Sequence, residues 1–184
     1  MRVIAGSAKS VPLKTLEGLD TRPTQDRIKE TLFNILQSDI PGCRFLDLFA
    51  GSGAIGIEAA SRGASHVVFM ENNPKAADII RLNLRTTRLE DKASLYQGDL
   101  FMQLAGAASG EDVFDIIFMD PPYRHDYEKQ VLTLLKDSRL VDEYTLIITE
   151  ASLDTTFDYL SELGYELVRE KKYKTNKHVF IRKK

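Results

Sequence analysis

The chain has 184 residues, with 25 basic and 27 acidic side chains for a formal net charge of −2. Hydrophobic content of 43% and charged content of 28% are ordinary globular values and exclude a disordered chain. No apolar run approaches the ~20 residues of a membrane span, no signal-peptide pattern opens the chain, and the single Cys43 cannot form an internal disulfide, so a cytoplasmic location is expected. The length implies one domain, with roughly 70% of the unfolded surface buried.

Val3–Ala5 and Val11–Leu13 read as short extended pieces. Thr21-Arg22-Pro23-Thr24 reads as a turn, with Thr24 capping a helix whose buried face carries Ile28, Leu32, Ile35 and Leu36. Pro41-Gly42 ends that unit. From residue 44 strands and helices alternate. Strands are expected at 45–49, 66–70, 94–96, 114–119 and 144–149, with two more near 166–169 and 178–181. Helices are expected at 54–62, 76–89, 127–135 and 155–163, and a loop at 106–110. Such alternation indicates a parallel sheet covered on both faces, with ligands at the carboxyl ends of its strands.

Those ends hold the residues of interest. Gly51-Ser52-Gly53-Ala54-Ile55-Gly56 is a G-x-G-x-x-G loop between strand and helix. Glu71 closes the second strand, 20 residues past Gly51, where a carboxylate can accept from ribose hydroxyls. This pattern suits NAD and S-adenosylmethionine alike; a plain strand–helix turn with Glu71 as a helix cap is the structural alternative. Asp47 favours the methyl donor, because a buried carboxylate is awkward beside a pyrophosphate and useful beside an ammonium group. Asp99 is placed to accept from an adenine amine, with Leu100 against the ring; an ordinary Gly-Asp turn is its alternative. Asp120-Pro121-Pro122-Tyr123 follows the fourth strand. The Asp120 carboxylate and the Pro121 carbonyl can take both N–H bonds of a planar amine, while Tyr123 stacks on its ring. A proline-rich surface turn is the alternative for these four residues.

Charge is unevenly placed. Residues 165–184 hold eight bases against two acids, +6, which leaves −8 for the rest. Arg81, Arg85 and Arg88 fall on one helical face, and Arg2, Lys9, Lys14, Arg22, Arg27 and Lys29 make a third basic group. Each could be a solvated face; together they suit a polyanionic partner. Nothing in the spacing of His66, His125, His178 and Cys43 suggests a metal site, and Cys43 reads as a small buried hydrophobe.

Leu46-Asp47-Leu48-Phe49-Ala50-Gly51-Ser52-Gly53 together with Asp120-Pro121-Pro122-Tyr123 resembles the amino-group methyltransferases that use S-adenosylmethionine. Arg2-Val3-Ile4-Ala5-Gly6, Thr21 to Thr24, Asp26-Arg27 and Leu32 to Leu36 narrow the resemblance to the RsmD-type bacterial 16S rRNA guanine-N(2) methyltransferases, and the match reaches Tyr173-Lys174-Thr175. One departure is Lys174, where the family usually has glycine.

The resemblance implies an α/β, Rossmann-like class I methyltransferase fold, with a seven-stranded, mostly parallel sheet whose last strands pair antiparallel. Residues 1–40 would be an N-terminal extension (short hairpin and helix) and 41–184 the methyltransferase domain. It implies S-adenosylmethionine held by Asp47, Phe49, Ala50, Gly51, Ser52, Gly53, Glu71, Asn72, Asp99 and Leu100, with no metal. Catalysis would lie with Asp120, Pro121, Pro122 and Tyr123. Arg22 and Arg27 become candidates for holding RNA near the cofactor, with a structural hairpin and helix cap as the alternative. Arg81, Arg85, Arg88, Lys171, Lys172 and Lys174 are candidate phosphate contacts. The implied partner is 16S rRNA within a small ribosomal subunit or its assembly intermediate, met by a monomer. Methylation of another planar amine (DNA adenine or cytosine, protein glutamine), an NAD-dependent oxidoreductase and a non-catalytic nucleotide-binding subunit are the competing classes.

Overall fold

The computed structural model describes residues 1–16, 23–107, 113–122 and 125–184, with only the backbone of 23–25. Strands β1 (Arg44–Leu48), β2 (His66–Glu71), β3 (Ala93–Gln97), β4 (Ile116–Met119) and β5 (Leu146–Ser152) pair in parallel. Strand β7 (Asn176–Lys183) enters antiparallel between β5 and β6 (Tyr165–Lys172), giving the order β3-β2-β1-β4-β5-β7-β6. This is the seven-stranded Rossmann-like methyltransferase topology that the resemblance implies.

The apolar runs exist because the sheet is covered twice, so successive residues feed opposite clusters. Phe45, Phe69, Ile116, Phe118 and Ile148 join one cluster. It also contains Leu32, Phe33 and Leu36 from α1 (Pro23–Ile35) or its end, Ile57 of α2 (Ala54–Ser61) and Ile80 of α3 (Pro74–Thr87). Leu46, Leu48, Met70, Ile117 and Met119 join the other, with Leu104 of α4 (Leu100–Ala107) and Val131 of α5 (Tyr127–Lys136).

Three local expectations are corrected. Thr24 lies within α1 rather than ahead of it; Pro23 takes the first helical position, where its missing N–H costs nothing. Helix α4, which the sequence reading does not anticipate, takes in the first two residues of the loop expected at 106–110, whose remainder lies outside the described residues; the Asp99 side chain caps it by accepting from Met102 N at 2.9 Å. The helix expected at 155–163 is only a 3-10 turn at Asp158–Leu160. Ser152 Oγ bonds Asp154 and Thr155 side chains there, the local polar pairing that competes with helix formation.

The chain before β1 is tied to the sheet layer through α2. Residues 1–13 make a short hairpin with an antiparallel bridge between Arg2 and Pro12. Glu58, fully buried in α2, accepts from Ile4 N at 2.8 Å and Ala5 N at 3.0 Å. It also pairs with Lys29 of α1 at 3.2 Å and with Arg62 at 2.7 Å. Lys29, placed in the third basic group, is therefore an internal cation; burial lowers its pKa and Glu58 opposes that. Gly6 packs so tightly on Ser61 that an added Cβ would stand 1.9 Å from the Ser61 carbonyl oxygen.

Replacing Glu58 by Ala strands two backbone donors and two cations, and is expected to lower unfolding stability by about 3–5 kcal/mol. Urea denaturation is the check; a loss below about 1 kcal/mol would show that this cluster is not a stabilising hub.

Candidate active site at the carboxyl edge of the sheet

Strand β1 runs into the glycine loop. Phe49, Gly51 and Gly53 all take left-handed backbone angles (φ 58, 56 and 75). Gly53 N donates to Ala50 O at 2.7 Å to close the turn, and Ala50 N donates to Met70 O at 3.2 Å. Two glycines have separate reasons to be glycine. A Cβ on Gly56 would lie 2.3 Å from the Phe69 ring, so α2 could not approach β2. A Cβ on Gly51 would come no nearer than 4.0 Å to Phe49 O, so the backbone there faces space that a ligand can enter.

Three acids brace this loop and the next turns. Glu71 accepts from Gly51 N at 2.7 Å through one oxygen and from Asn73 N at 2.8 Å through the other. The cap of α3 is Asn73, which accepts from Lys75 N; Glu71 is therefore a loop brace rather than that cap, and Asn72 is exposed beside it. Asp47, 2% exposed, accepts from Gly56 N at 2.9 Å. Burial pushes its carboxyl up to about 8; the Gly56 N–H works against that, and the charge of Glu71 adds to it. Asp99 commits one oxygen to capping α4 and stays exposed, with Leu100 buried next to it.

Strands β1 and β4 are neighbours, with Leu48 opposite Met119, so Asp120 begins its turn beside the glycine loop. Pro121 is buried and Pro122 exposed; Tyr123 and Arg22 lie outside the described residues. Asp120 keeps an accessible face, yet its carboxyl is crowded by protein. That desolvation, followed by the charges of Glu150, Asp47 and Glu128, holds its pKa well above the ordinary carboxylate range. Tyr127 stacks on Phe49 and on His125 at 5.7 and 5.2 Å between ring centroids, and Phe101 tilts against it at 5.6 Å.

Four further polar residues at this edge escape a reading of the sequence. Glu150 follows Met119's partner Thr149 on β5 and accepts from Asn176 Nδ2. Its other oxygen lies 3.2 Å from His178 Nε2, and His178 Nδ1 lies 3.1 Å from the Tyr173 hydroxyl. Glu150 was findable, since it follows an apolar strand as Glu71 and Asp120 do. His178 and Asn176 arrive by antiparallel pairing across β5 and β7, which spacing does not announce.

The basic candidates separate. The turn carrying Lys174, with Lys171 and Lys172 before it, lies where β6 meets β7, at the same edge as Asp120. Lys172 is paired with Glu170 at 3.2 Å, and the same acid holds Lys177 at 2.9 Å. Helix α1 runs alongside α2, with Lys29 against Glu58 and Phe33 under Arg62, so the start of α1 lies on the side of this edge, and Arg27 there is exposed. Lys14 is held by Asn83, whose side chain bonds both its N and its O and also reaches Ser52 O at 2.9 Å. Asn83 thereby sets Lys14 beside the glycine loop. Arg81 is engaged with Asp78 and Gln97. Arg85 and Arg88 fall at the far end of α3, where Arg88 forms the left-handed cap, so the structure does not bring them to the carboxyl edge. Cys43 is buried, its thiol pushed up to about 12, chiefly by burial. It borders a cavity of about 360 Å³ at the opposite edge, with Asp115 and Arg182. Among the described residues no group of three or more His, Cys, Asp or Glu side chains could hold a metal ion. No helix there is long and apolar enough to cross a membrane.

Comparison with known proteins agrees with this geometry. The family model described as Conserved hypothetical protein 95 matches residues 1–182. YlbH of Bacillus subtilis is 43% identical over 150 residues, 82% of each chain. Ribosomal RNA small subunit methyltransferase D of Haemophilus influenzae is 33% identical over 173 residues, 93% of this chain and 88% of the relative. A solved structure of a Thermus thermophilus protein superposes with a TM-score of 0.82 at 30% identity, covering 98% of both chains. The chain belongs to this family, that of the RsmD-type ribosomal RNA methyltransferases.

Proposed function

We propose that this protein transfers a methyl group from S-adenosylmethionine to the exocyclic amine of a guanine in 16S ribosomal RNA. The observation that carries the reading is the adjacency of β1 and β4, which sets the glycine loop beside Asp120-Pro121-Pro122. Membership in the family and the name of the Haemophilus influenzae relative support the RNA substrate. The family resemblance supplies the guanine; the residues themselves call for a planar amine. A small ribosomal subunit or its assembly intermediate, engaged by one copy of the chain, is the proposed setting.

The residues fit that methyl donor. The open face over Gly51 admits a ligand to the backbone, and Phe49, Ala50, Ser52 and Gly53 complete the wrap. Glu71 has lone pairs beyond its two backbone bonds for ribose hydroxyls, and the free oxygen of Asp99 can accept from the adenine amine over Leu100. Asn72 borders the ribose side. Asp47 suits the ammonium of the methionine part, since a cation beside it favours the ionised form that burial opposes. When bound, S-adenosylmethionine supplies an activated methyl group. Asp120 and the Pro121 carbonyl orient the target amine by taking its N–H bonds, and Pro122 stiffens the turn. Asp120 stabilises positive charge developing on the nitrogen, while Tyr123 stacks on a base taken out of its stack. Lys171, Lys172, Lys174, Arg27 and Arg22 are proposed phosphate contacts; Arg81, Arg85 and Arg88 would serve only an RNA that wraps round α3.

Labelled methyl donor and small subunits from a strain lacking this enzyme should yield label in N2-methylguanosine of 16S rRNA. Label only in another nucleoside, or none, would overturn the guanine assignment. Asp120→Ala is expected to lower kcat by about 10²–10³-fold while S-adenosylhomocysteine affinity stays within about twofold, read by calorimetry.

The raised Asp47 pKa also predicts a pH dependence. The folded chain keeps a proton that the unfolded chain, with an ordinary value of 3.8, releases; this contribution to stability is full below that value and is lost as pH rises through about 8. Ligand-free wild type should therefore lose more stability between pH 5 and 8 than Asp47→Asn in urea titrations. Equal slopes for the two proteins would show that Asp47 is not titrating in this window.

A further inference from the structure

Behind Asp120 stands a chain of polar groups that cofactor and amine binding do not employ. Glu150 is tied at both oxygens, to the Asn176 amide and to His178 Nε2. His178 is 1% exposed, with Tyr173 on its other ring nitrogen. Its ring is fixed edge-on by Tyr173 at 5.1 Å and by Phe118 at 5.9 Å. An apolar side chain would pack that site without needing two polar partners. The imidazole is instead aligned to exchange protons along one line: Tyr173, His178, Glu150. Pairing of Met119 with Thr149 puts Asp120 and Glu150 one step further along adjacent strands, at the end of that line. Among the described residues, other charged groups acting on this line include Asp47 from β1, Glu128 from α5 and Arg169 from β6, which acts on Tyr173, and Lys171 of β6 lies opposite His178. Lys177 is already paired with Glu170.

We propose that Glu150, positioned by His178 and Asn176, is the proton outlet for amine methylation, receiving from Asp120 the proton that the methylated nitrogen must lose. The inference rests on the proposed placing of the target amine at Asp120. The step balances without a further reactant. The nitrogen that has gained a methyl group carries one N–H too many; that bond breaks, its electron pair stays on nitrogen, and an O–H forms on Asp120. The Asp120 O–H then breaks as one forms on Glu150. From Glu150 the proton goes to water at its solvent-facing side, or to His178 Nε2, where the imidazolium faces the carboxylate. Each turnover thus returns Asp120 to the ionised form that the next amine requires. Asp120 and Glu150 follow paired residues of neighbouring strands, and the charge of Glu150 acts on the Asp120 carboxyl, so the two groups are electrostatically linked.

The test compares wild type, Asp120→Ala, Glu150→Gln and His178→Gln in methyl transfer to small subunits from pH 6 to 9. Glu150→Gln keeps the shape of the side chain and removes the acceptor. It is expected to lower kcat about 10–100-fold, leave KM for RNA and S-adenosylhomocysteine affinity within about twofold, shift the acid-side midpoint of the rate profile and raise the solvent deuterium isotope effect on kcat. His178→Gln, which can still donate to Glu150, should move the same pH midpoint with a smaller loss of kcat. Wild-type kcat and pH profile in a folded Glu150→Gln protein would overturn the proposal. Should Glu150→Gln not fold, an unmoved pH profile in His178→Gln overturns it equally. Failure of the underlying reading looks different: wild type then transfers no methyl group to RNA, or Asp120→Ala stays active.

Discussion

One buried carboxylate organises the layer on which the site is built. Glu58 has no access to water and compensates by taking two backbone donors from residues 4 and 5 and two cations, Lys29 and Arg62. A charge inside a protein is tolerable only when so surrounded. The requirement runs both ways: the hairpin and α1 must dock on α2 for Glu58 to be satisfied, and their apolar residues then join the core cluster that holds Phe45, Ile116, Phe118 and Ile148 of the sheet. Ser61 repeats the arrangement one turn later, taking Ala8 N and giving to Ala5 O. Asn83 finishes it by clamping Lys14 to the glycine loop. What precedes β1 is thus fastened to the same helices that shape the candidate cofactor site.

At the carboxyl edge the chemistry is dominated by acids held near each other. Asp47, Glu71 and Asp120 occupy the ends of β1, β2 and β4 or the residues next to them, and Glu150 lies two residues before the end of β5. Glu71 is braced by backbone N–H groups, Asp47 by one, and Glu150 by an amide and an imidazole. Mutual repulsion and burial raise the proton affinity of Asp47 and Asp120, a setting that favours cationic ligands and nitrogen atoms gaining positive charge. The same preference disfavours a pyrophosphate beside Asp47, which separates this site from the dinucleotide site that the glycine spacing alone would allow.

The charge segregation seen along the chain also changes meaning in three dimensions. Eight bases in the last twenty residues suggest a broad cationic ribbon. Folding assigns Lys172 and Lys177 to Glu170, and buries Lys177 under the Phe157 ring. Near the edge, Lys171, Lys172 and Lys174 keep access to solvent, a smaller and better localised group. A weak, local field suits an enzyme that must release a polyanionic product.

The alternating strands, the glycine loop, the acid 20 residues on and the Asp-Pro-Pro turn are all legible in the bare sequence, because each depends on neighbours within a few residues and on strand-end position. Local pattern misses α4 and overstates the helix at 155–163, where capping by Asp99 and side-chain pairing at Ser152 outweigh propensity. Long-range packing is what makes Lys29 internal, sets Arg85 and Arg88 away from the edge, and joins Glu150, Asn176, His178 and Tyr173 into one group. Those outcomes require an antiparallel strand inserted between two others and a hairpin docked on a helix. Residues 26 to 54 positions apart in the chain then become bonded neighbours, and no local periodicity encodes which of them will meet.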